Sequence, residues 1–322
     1  MRTSNSVGAG KFRRAPREAL VVGCFGGCLA QAGCESIPQW WLDASTFTPC
    51  SGSADIACSP FGVPQIVSEL VAKDGNEKPT LTADELEMYF LSDANGADAG
   101  VGEGIVSITT RATISDAWGS PTALDAVNSS WRQTSPAVSG DGLSLWVSSD
   151  RPGGQGGLDI WLSTRGDAGG PWAAPVPVTA LNSTADEIPR PPGAHSSIMP
   201  LSRRPKSSAP YQVWLASRVA PSSSWAPPVA CSSVDTANLD DDGYLMDDGL
   251  TLYFSSDRLT GSQDLFVTER PDPSSPFAAP VPLATLNEST SSERDPWVSS
   301  DQHEIYFTSD RTGTLQIYRA TR

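Results

Sequence analysis

The chain has 322 residues and a formal net charge of −15, with 18% charged side chains, 28 glycines, 27 prolines and 10 tryptophans. This composition, with strand-like apolar runs throughout, favours many short strands joined by turns and argues against a helical bundle, collagen or a disordered chain. So acidic a surface argues against binding of nucleic acid through its phosphates. It favours cationic partners, although net charge of this size also serves solubility alone.

The first element in chain order is an export signal over residues 1–33. Its first 18 residues are basic and polar, and an uncharged stretch then runs from Ala19 to Gly33. That stretch suits the apolar region of a signal and is short for a membrane span. It resembles a lipoprotein signal, in which a cysteine carries the lipid. Cys34 leaves an apolar region of proper length, so we expect lipidation there; Cys24 and an ordinary cleaved signal peptide are the alternatives.

Residues 34–59 are expected to be a tether in an oxidising compartment, the periplasm or cell envelope. Cys50 and Cys58 flank a short polar loop, so we expect a local disulfide between them. Cys231 is then left over and is expected to be buried as a small apolar residue. The cysteine and histidine spacing of a zinc site is absent, and we predict no metal site.

Five segments of the remaining chain share one pattern. Its clearest copies read VSGDGLSLWVSSDR from residue 138 and LMDDGLTLYFSSDR from residue 245, and related runs occur near residues 81, 198 and 298. Equivalent positions recur about every 53 to 57 residues, which is typical of a repeat architecture. The residues from 60 to 322 are therefore expected to form one repeat domain.

Each repeat predicts four strands. Successive residues alternate between two sets, Leu145 and Val147 in one and Ser144 and Trp146 in the other, which is the two-residue period of a β-strand. The Asp-Gly pairs predict tight hairpins. Prolines at alternate positions, as in PWAAPVPV from residue 171, fit only an outer edge strand. Four antiparallel strands per repeat indicate the blade of a β-propeller, so we predict an all-β fold of five four-stranded blades.

The two ends of the repeat region complement each other. The fifth repeat lacks a proline-rich fourth strand, and the missing piece stands at residues 60–67 as PFGVPQIV, matching PFAAPV from residue 276. We therefore predict that an N-terminal strand near Phe61 completes the last blade by pairing with the strand that holds Ile317.

The quoted repeat resembles the TolB-type, WD40-like β-propeller repeat of bacterial envelope proteins, over about residues 60 to 322. The resemblance implies the fold. It does not assign a function, because such repeats occur in protein-interaction propellers, peptidase-associated propellers and some carbohydrate-active enzymes. The chain also lacks a recognisable N-terminal α/β domain and has five copies where TolB has six blades, which puts a Tol–Pal role in doubt.

The candidate binding residues are acids that precede or open the innermost strands: Glu77, Glu187, Asp241, Glu293 and Asp295. Together they could form an acidic ring at the mouth of the central channel, attracting a basic peptide or a cation such as calcium. Otherwise they are loop acids that bind local amides. The recurring Ser-Asp-Arg turns are interpreted as structural, with Asp accepting from the turn's own amides. No cofactor is predicted.

These observations favour a non-catalytic, monomeric binding propeller at the cell envelope. We expect a protein or peptide ligand, no nucleic acid, and membrane association only through the lipid. The alternatives are a glycan-active hydrolase or lyase with paired carboxylates at the channel mouth, and a purely structural lipoprotein.

Overall fold

The computed structural model describes residues 60–92, 104–191, 197–205, 207–220, 222–259 and 261–322. The expected signal segment, the tether and four cysteines of the sequence predictions (Cys24, Cys34, Cys50 and Cys58) lie outside the described residues. Within the described part of the chain, no helix is both long and apolar enough to cross a membrane.

The described residues form five four-stranded antiparallel sheets, as predicted. The first blade consists of β2 (Asn76–Leu81), β3 (Glu87–Ser92), β4 (Ile105–Thr110) and β5 (Thr122–Ala123). The second consists of β6 (Gln133–Val138), β7 (Ser144–Ser149), β8 (Asp159–Thr164) and β9 (Val176–Pro177). The third consists of β10 (Asp186–Pro189), β11 (Ile198–Arg204), β12 (Gln212–Ser217) and β13 (Val229–Ala230). The fourth consists of β14 (Asp240–Leu245), β15 (Thr251–Ser256), β16 (Asp264–Glu269) and β17 (Val281–Pro282).

The fifth blade is completed from the other end of the chain. Its strands are β18 (Glu293–Val298), β19 (Glu304–Ser309), β20 (Gln316–Thr321) and the N-terminal β1 (Gln65–Ile66). Gln65 pairs with Arg319 and Ile66 with Tyr318, and the Val67 amide donates to the Ile317 carbonyl at 2.9 Å. The predicted closure is confirmed. A short 3-10 helix (Ser68–Leu70) then leads to the first blade.

The proline-rich segments quoted above form the fourth strands of the second, fourth and fifth blades, as the sequence predicts, and the other two blades have a fourth strand in the same place. These strands have only two residues each, and they lie at the outer edge of their sheets. Such short outer strands limit edge-to-edge pairing with other chains, and the prolines in β9 and β17 cannot donate a backbone hydrogen bond at that edge.

The apolar core lies between neighbouring blades. One cluster joins Tyr89 and Val106 of the first blade to Val147 and Trp172 of the second. Further clusters join the second blade to the third, the third to the fourth, and the fourth and fifth to the first. A single blade cannot bury both of its faces, so each blade depends on its neighbours for its core.

Candidate binding site on the inner strands

The inner strands of four blades carry a β-bulge. The bulged residues have left-handed backbone conformations, with φ of 61° at Lys78, 50° at Ser135, 59° at Asp242 and 56° at Asp295. The strand register shifts at each of these points. A residue other than glycine adopts this conformation at a cost, and bulges commonly re-aim side chains near functional sites.

Three of these bulged residues, Lys78, Asp242 and Asp295, belong to a cluster of charged side chains. The inner strands of the first, fourth and fifth blades contribute to it, together with Arg190, which directly follows β10 in the third blade. We call this set the channel cluster, and its members are Glu77, Lys78, Arg190, Asp241, Asp242, Arg294 and Asp295. Asp295 binds Lys78 at 3.2 Å and Arg190 at 3.1 Å. Arg190 also pairs with Asp242 and lies 3.5 Å from Asp241. Arg294 binds Glu77 at 3.3 Å.

The members of the channel cluster are paired with one another, and all are buried except Lys78 and Arg294, which are partly buried. Asp295 is only 3% exposed, and burial by itself raises the pKa of its carboxyl. The neighbouring cations Lys78, Arg190 and Arg294 more than offset burial and hold that pKa at about 2. Asp295 is therefore ionised at any physiological pH and cannot act as a general acid.

The five predicted acids fall into two environments. Glu77, Asp241 and Asp295 belong to the channel cluster. Glu187 and Glu293 are fully buried and instead bind arginines near the end of the second strand of their blades. Glu187 lies 3.0 Å from Arg203, and Glu293 lies 3.0 Å from Arg311.

Glu187 is displaced because the third blade lacks the bulge. Its register runs without a shift from Asp186 to Pro189, so Glu187 takes the place that Glu293 has in the fifth blade. Burial raises the pKa of Glu187, and hydrogen bonds from Ser183 and the charge of Arg203 oppose that rise.

The Ser-Asp-Arg turns are structural, but their hydrogen bonds differ from the expected ones. In the fifth blade Ser309, not the aspartate, accepts from the amide of Arg311. Asp310 accepts instead from the amide of Ser292 at 2.8 Å, in the linker before the inner strand. The turn thereby holds the linker in place, and the Arg311 guanidinium adds a bond to the Leu286 carbonyl at 2.7 Å.

The cations of the channel cluster were missed by reasoning from sequence. Lys78 and Arg294 stand beside predicted acids in the local sequences NEKP and ERDP, which is a weak signal of pairing. Arg190 follows Pro189 in the third blade, whose copy of the repeat is the most divergent, so nothing local marks it as a partner of Asp295.

Aromatic and charged residues surround the end of the ring at which the inner strands begin. Arg204 binds Asp186 at 2.5 Å and lies 4.4 Å from the ring centre of Tyr211. Trp131, in the linker that enters β6, is 49% exposed. Tryptophan, tyrosine and arginine are the residue types that dominate binding energy at protein interfaces.

The opposite end of the inner strands is narrow and largely apolar. Leu81, Val138, Tyr244 and Trp297 meet there around a cavity of about 20 Å³. A space of this size holds a single water molecule and no sugar residue.

No protein-family model matches the chain, and no curated protein matches it. Among solved structures, it is similar to an endo-arabinase from Bacteroides thetaiotaomicron, with 13% identity, a TM-score of 0.54, and coverage of 82% of this chain and 98% of that one. It is also similar to the catalytic domain of a GH62 α-L-arabinofuranosidase from Coprinopsis cinerea (11% identity, TM-score 0.50, coverage 81% and 96%). A proposed TolB protein from Agrobacterium tumefaciens matches at 14% identity and a TM-score of 0.46, with 76% of each chain covered. Likenesses at this level of identity concern the fold alone.

The remaining features relevant to chemistry in the described part of the chain are a single cysteine and the grouping of possible metal ligands. Cys231 is buried, as expected, and burial raises the pKa of its thiol to about 11, so the thiolate is scarce at neutral pH. Across the described ranges, no three His, Cys, Asp or Glu side chains are grouped so that they could hold a metal ion.

Proposed function

We propose that this chain is a non-catalytic binding propeller of the cell envelope. Its ligand is a protein or peptide segment that docks where the inner strands begin. The observation that carries the proposal is the pairing of the channel carboxylates. Glu77, Asp241, Asp242 and Asp295 each lie within 4 Å of a lysine or arginine of the same chain.

Such pairing is poorly suited to glycoside hydrolysis. A hydrolase needs one carboxyl with a raised pKa to protonate the leaving group and a second, free carboxylate to act as base or nucleophile. In the channel cluster the Asp295 pKa is lowered, and its oxygen Oδ1 is shared by Lys78 and Arg190.

The end of the ring around Arg204 and Trp131 supplies contacts suited to a polypeptide. The Arg204–Asp186 pair presents both charge signs, and Tyr211 and Trp131 supply aromatic surface. The acidic net charge of −15 favours a partner with basic residues by raising its rate of encounter.

A peptide-display selection against the immobilised protein tests the proposal. We expect enriched peptides with a net positive charge, and affinities that fall about tenfold or more in Trp131→Ala and Arg204→Ala, as at interface hot spots. Val176→Ala is the matched control, because Val176 is exposed on the outer strand β9, away from the inner strands. The same purified protein is incubated with arabinan and arabinoxylan. Release of reducing sugar that is lost in Asp295→Asn would overturn the proposal.

The envelope location and lipid anchor are part of the same proposal. They rest on the uncharged stretch that ends before Cys34. Expression in a bacterium fed an alkyne-tagged fatty acid should label the protein, and Cys34→Ser should abolish the label while Cys24→Ser retains it. Retention of the label in Cys34→Ser would disprove anchoring at that cysteine.

A further inference from the structure

A cleft of about 610 Å³ lies at the seam between the fifth and first blades. We call it the seam cleft. Residues of the closing segment (Gln65–Glu69), the loop after β4 (Arg111–Trp118) and the fifth blade (Glu304, Tyr306 and Arg319) line it. Its volume is within the range of about 300–1,000 Å³ of pockets that hold small molecules.

The equivalent place between the first and second blades is closed by hydrogen bonds. There the hydroxyl of Tyr89 donates to Glu87 at 2.7 Å, and Arg165 of the next blade binds the same carboxylate oxygen at 2.6 Å. Trp172 packs edge-on against Tyr89, with ring centres 5.9 Å apart. The Tyr89 hydroxyl and the Arg165 guanidinium thus share the Glu87 carboxylate.

The seam cleft has the same residue types but different pairing. Trp118 again packs edge-on against a tyrosine, Tyr306, with ring centres 6.4 Å apart. Glu304, the counterpart of Glu87, pairs with Arg319, whereas Arg111, the counterpart of Arg165, binds the Glu85 carbonyl at 2.8 Å.

The Tyr306 hydroxyl therefore lacks the carboxylate partner that the Tyr89 hydroxyl has. Tyr306 is 0% exposed, and its hydroxyl lies near Trp118 and Arg111 without a hydrogen bond of normal geometry to any described residue. A buried polar group without a partner carries a cost, and a ligand that binds it removes that cost.

Arg319 sets this seam apart from the other blades. Its counterparts on the third strands are all aliphatic: Ile108, Leu162, Leu215 and Val267. Side chains that serve only packing recur from blade to blade, so the single charged residue at this position calls for a role specific to the seam cleft.

We propose that the seam cleft binds a small neutral carbohydrate. Its two arginines are already paired with Glu85 and Glu304, so neither is free to bind an anion. The carboxylates of Glu69 and Asp116, which also line the cleft, can accept hydrogen bonds from hydroxyl groups. Each hydroxyl of a sugar both donates and accepts, as the Tyr306 hydroxyl can. The exposed side chain of Ile114 provides an apolar rim for the C–H face of a sugar ring.

Saturation-transfer NMR and calorimetric titration of the full chain test the proposal, with cellobiose, maltose, lactose and sucrose as neutral probes and glucuronate and inorganic phosphate as anionic ones. We expect at least one neutral disaccharide to bind with a Kd of about 1 mM or tighter. Tyr306→Phe and Arg319→Leu should each weaken that binding about tenfold, the size expected for one lost hydrogen-bonding partner. Arg319→Leu copies the residue present at position 162 and should fold normally.

Tyr89→Phe is the matched control, because it removes the counterpart hydroxyl from the closed contact between the first and second blades. It should leave disaccharide binding unchanged. Any of three results overturns the proposal: no neutral disaccharide binds, only glucuronate or phosphate binds, or binding survives both Tyr306→Phe and Arg319→Leu. None of these results bears on peptide binding around Trp131, which lies in a separate linker.

Discussion

The guanidinium of Arg322 lies 4.1 Å from the ring centre of Phe61, so the residue after β20 stacks on a residue before β1. Each other blade has the same pair within one local stretch of chain. These pairs are Arg111 with Trp118, Arg165 with Trp172, Arg218 with Trp225, and Arg270 with Phe277, at 4.2 to 4.6 Å. In the fifth blade the two partners come from opposite ends of the propeller, so the stacking itself closes the ring.

Phe61→Ala should destabilise the closure. Phe61 is 2% exposed, and truncation of a buried phenylalanine typically costs about 3–5 kcal/mol. Urea denaturation followed by tryptophan fluorescence measures the loss in the free energy of unfolding. Limited proteolysis should in addition show faster cleavage between Pro60 and Gly75, because β1 has only two paired residues to hold this segment.

The control is Phe277→Ala, which breaks the equivalent pair in the fourth blade. It should cost a similar free energy without faster cleavage between Pro60 and Gly75. If the free energy of unfolding of Phe61→Ala is within about 0.5 kcal/mol of the wild-type value, the stacked pair does not stabilise the protein.

Asp235→Asn should stabilise the protein at neutral pH. In the second and fourth blades the equivalent residues, Asn182 and Asn287, both accept from and donate to the backbone of the third strand. Asp235 accepts from the Val213 amide at 3.0 Å, but its ionised carboxylate cannot donate to the Val213 carbonyl. Burial raises the pKa of Asp235 to about 6.

The sign of the pH dependence follows from that raised pKa. The folded state holds the proton more tightly than an unfolded chain, whose Asp pKa is about 3.9. The stabilising contribution of protonated Asp235 is therefore fully present below about pH 4 and is lost as the pH rises through 6. The free energy of unfolding of Asp235→Asn should equal that of wild type near pH 4. At pH 7 it should exceed the wild-type value by about 1–3 kcal/mol, a range that allows for the partial solvent exposure of Asp235.

Thermal unfolding at pH 5, 6 and 7 checks this difference. Asn287→Asp is the converse variant, since it introduces the same carboxylate into the fourth blade. Its destabilisation should grow over the same pH interval. If the difference in unfolding temperature between Asp235→Asn and wild type is the same at pH 5, 6 and 7, the raised pKa of Asp235 is refuted.

Asp295→Asn should weaken the fold at neutral pH and reduce its sensitivity to acid. Lys78 and Arg190 would lose their shared partner, and breaking a buried ion pair from one side typically costs about 3–5 kcal/mol. Because the folded pKa of Asp295 is lowered to about 2, its contribution is present above about pH 4 and is lost as the pH falls through 2.

The difference between Asp295→Asn and wild type should therefore be largest at pH 7 and shrink at pH 3, as measured by urea denaturation at both pH values. Asp150→Asn, a change at an exposed residue of a Ser-Asp-Arg turn, is the control and should be close to neutral at both. If Asp295→Asn and Asp150→Asn lose the same free energy of unfolding at pH 7, the channel cluster does not stabilise the ring.

The fold could be predicted because its signals are local and repeated. Alternation at Leu145 and Val147 and the glycines of the hairpins at Gly142 and Gly249 indicate strands and turns without knowledge of distant residues. The closing strand was predictable because its proline-rich pattern is absent from the last repeat and present before the first.

The candidate site was only partly predictable, because ion pairs between inner strands join residues far apart in sequence. Asp295 meets Lys78 and Arg190 across blades, and no local pattern encodes which cation will lie beside which acid. Glu187 shows a second limit. Both Glu187 and Glu77 stand two residues before a proline, so the sequence pattern treats them as equivalent. The third blade lacks the bulge, however, and its inner strand is therefore shifted by one residue, which places the Glu187 carboxylate beside Arg203.

The pairing of β1 with β20 also constrains the order of events during synthesis. A ribosome releases Gln65 long before it releases Arg319, its partner in the fifth blade. Until then the growing polypeptide exposes the outer side of an incomplete sheet, a surface on which other chains can aggregate. Completion of the ring is thus a late step, and slow translation near β20 lengthens the period in which the nascent protein depends on chaperones.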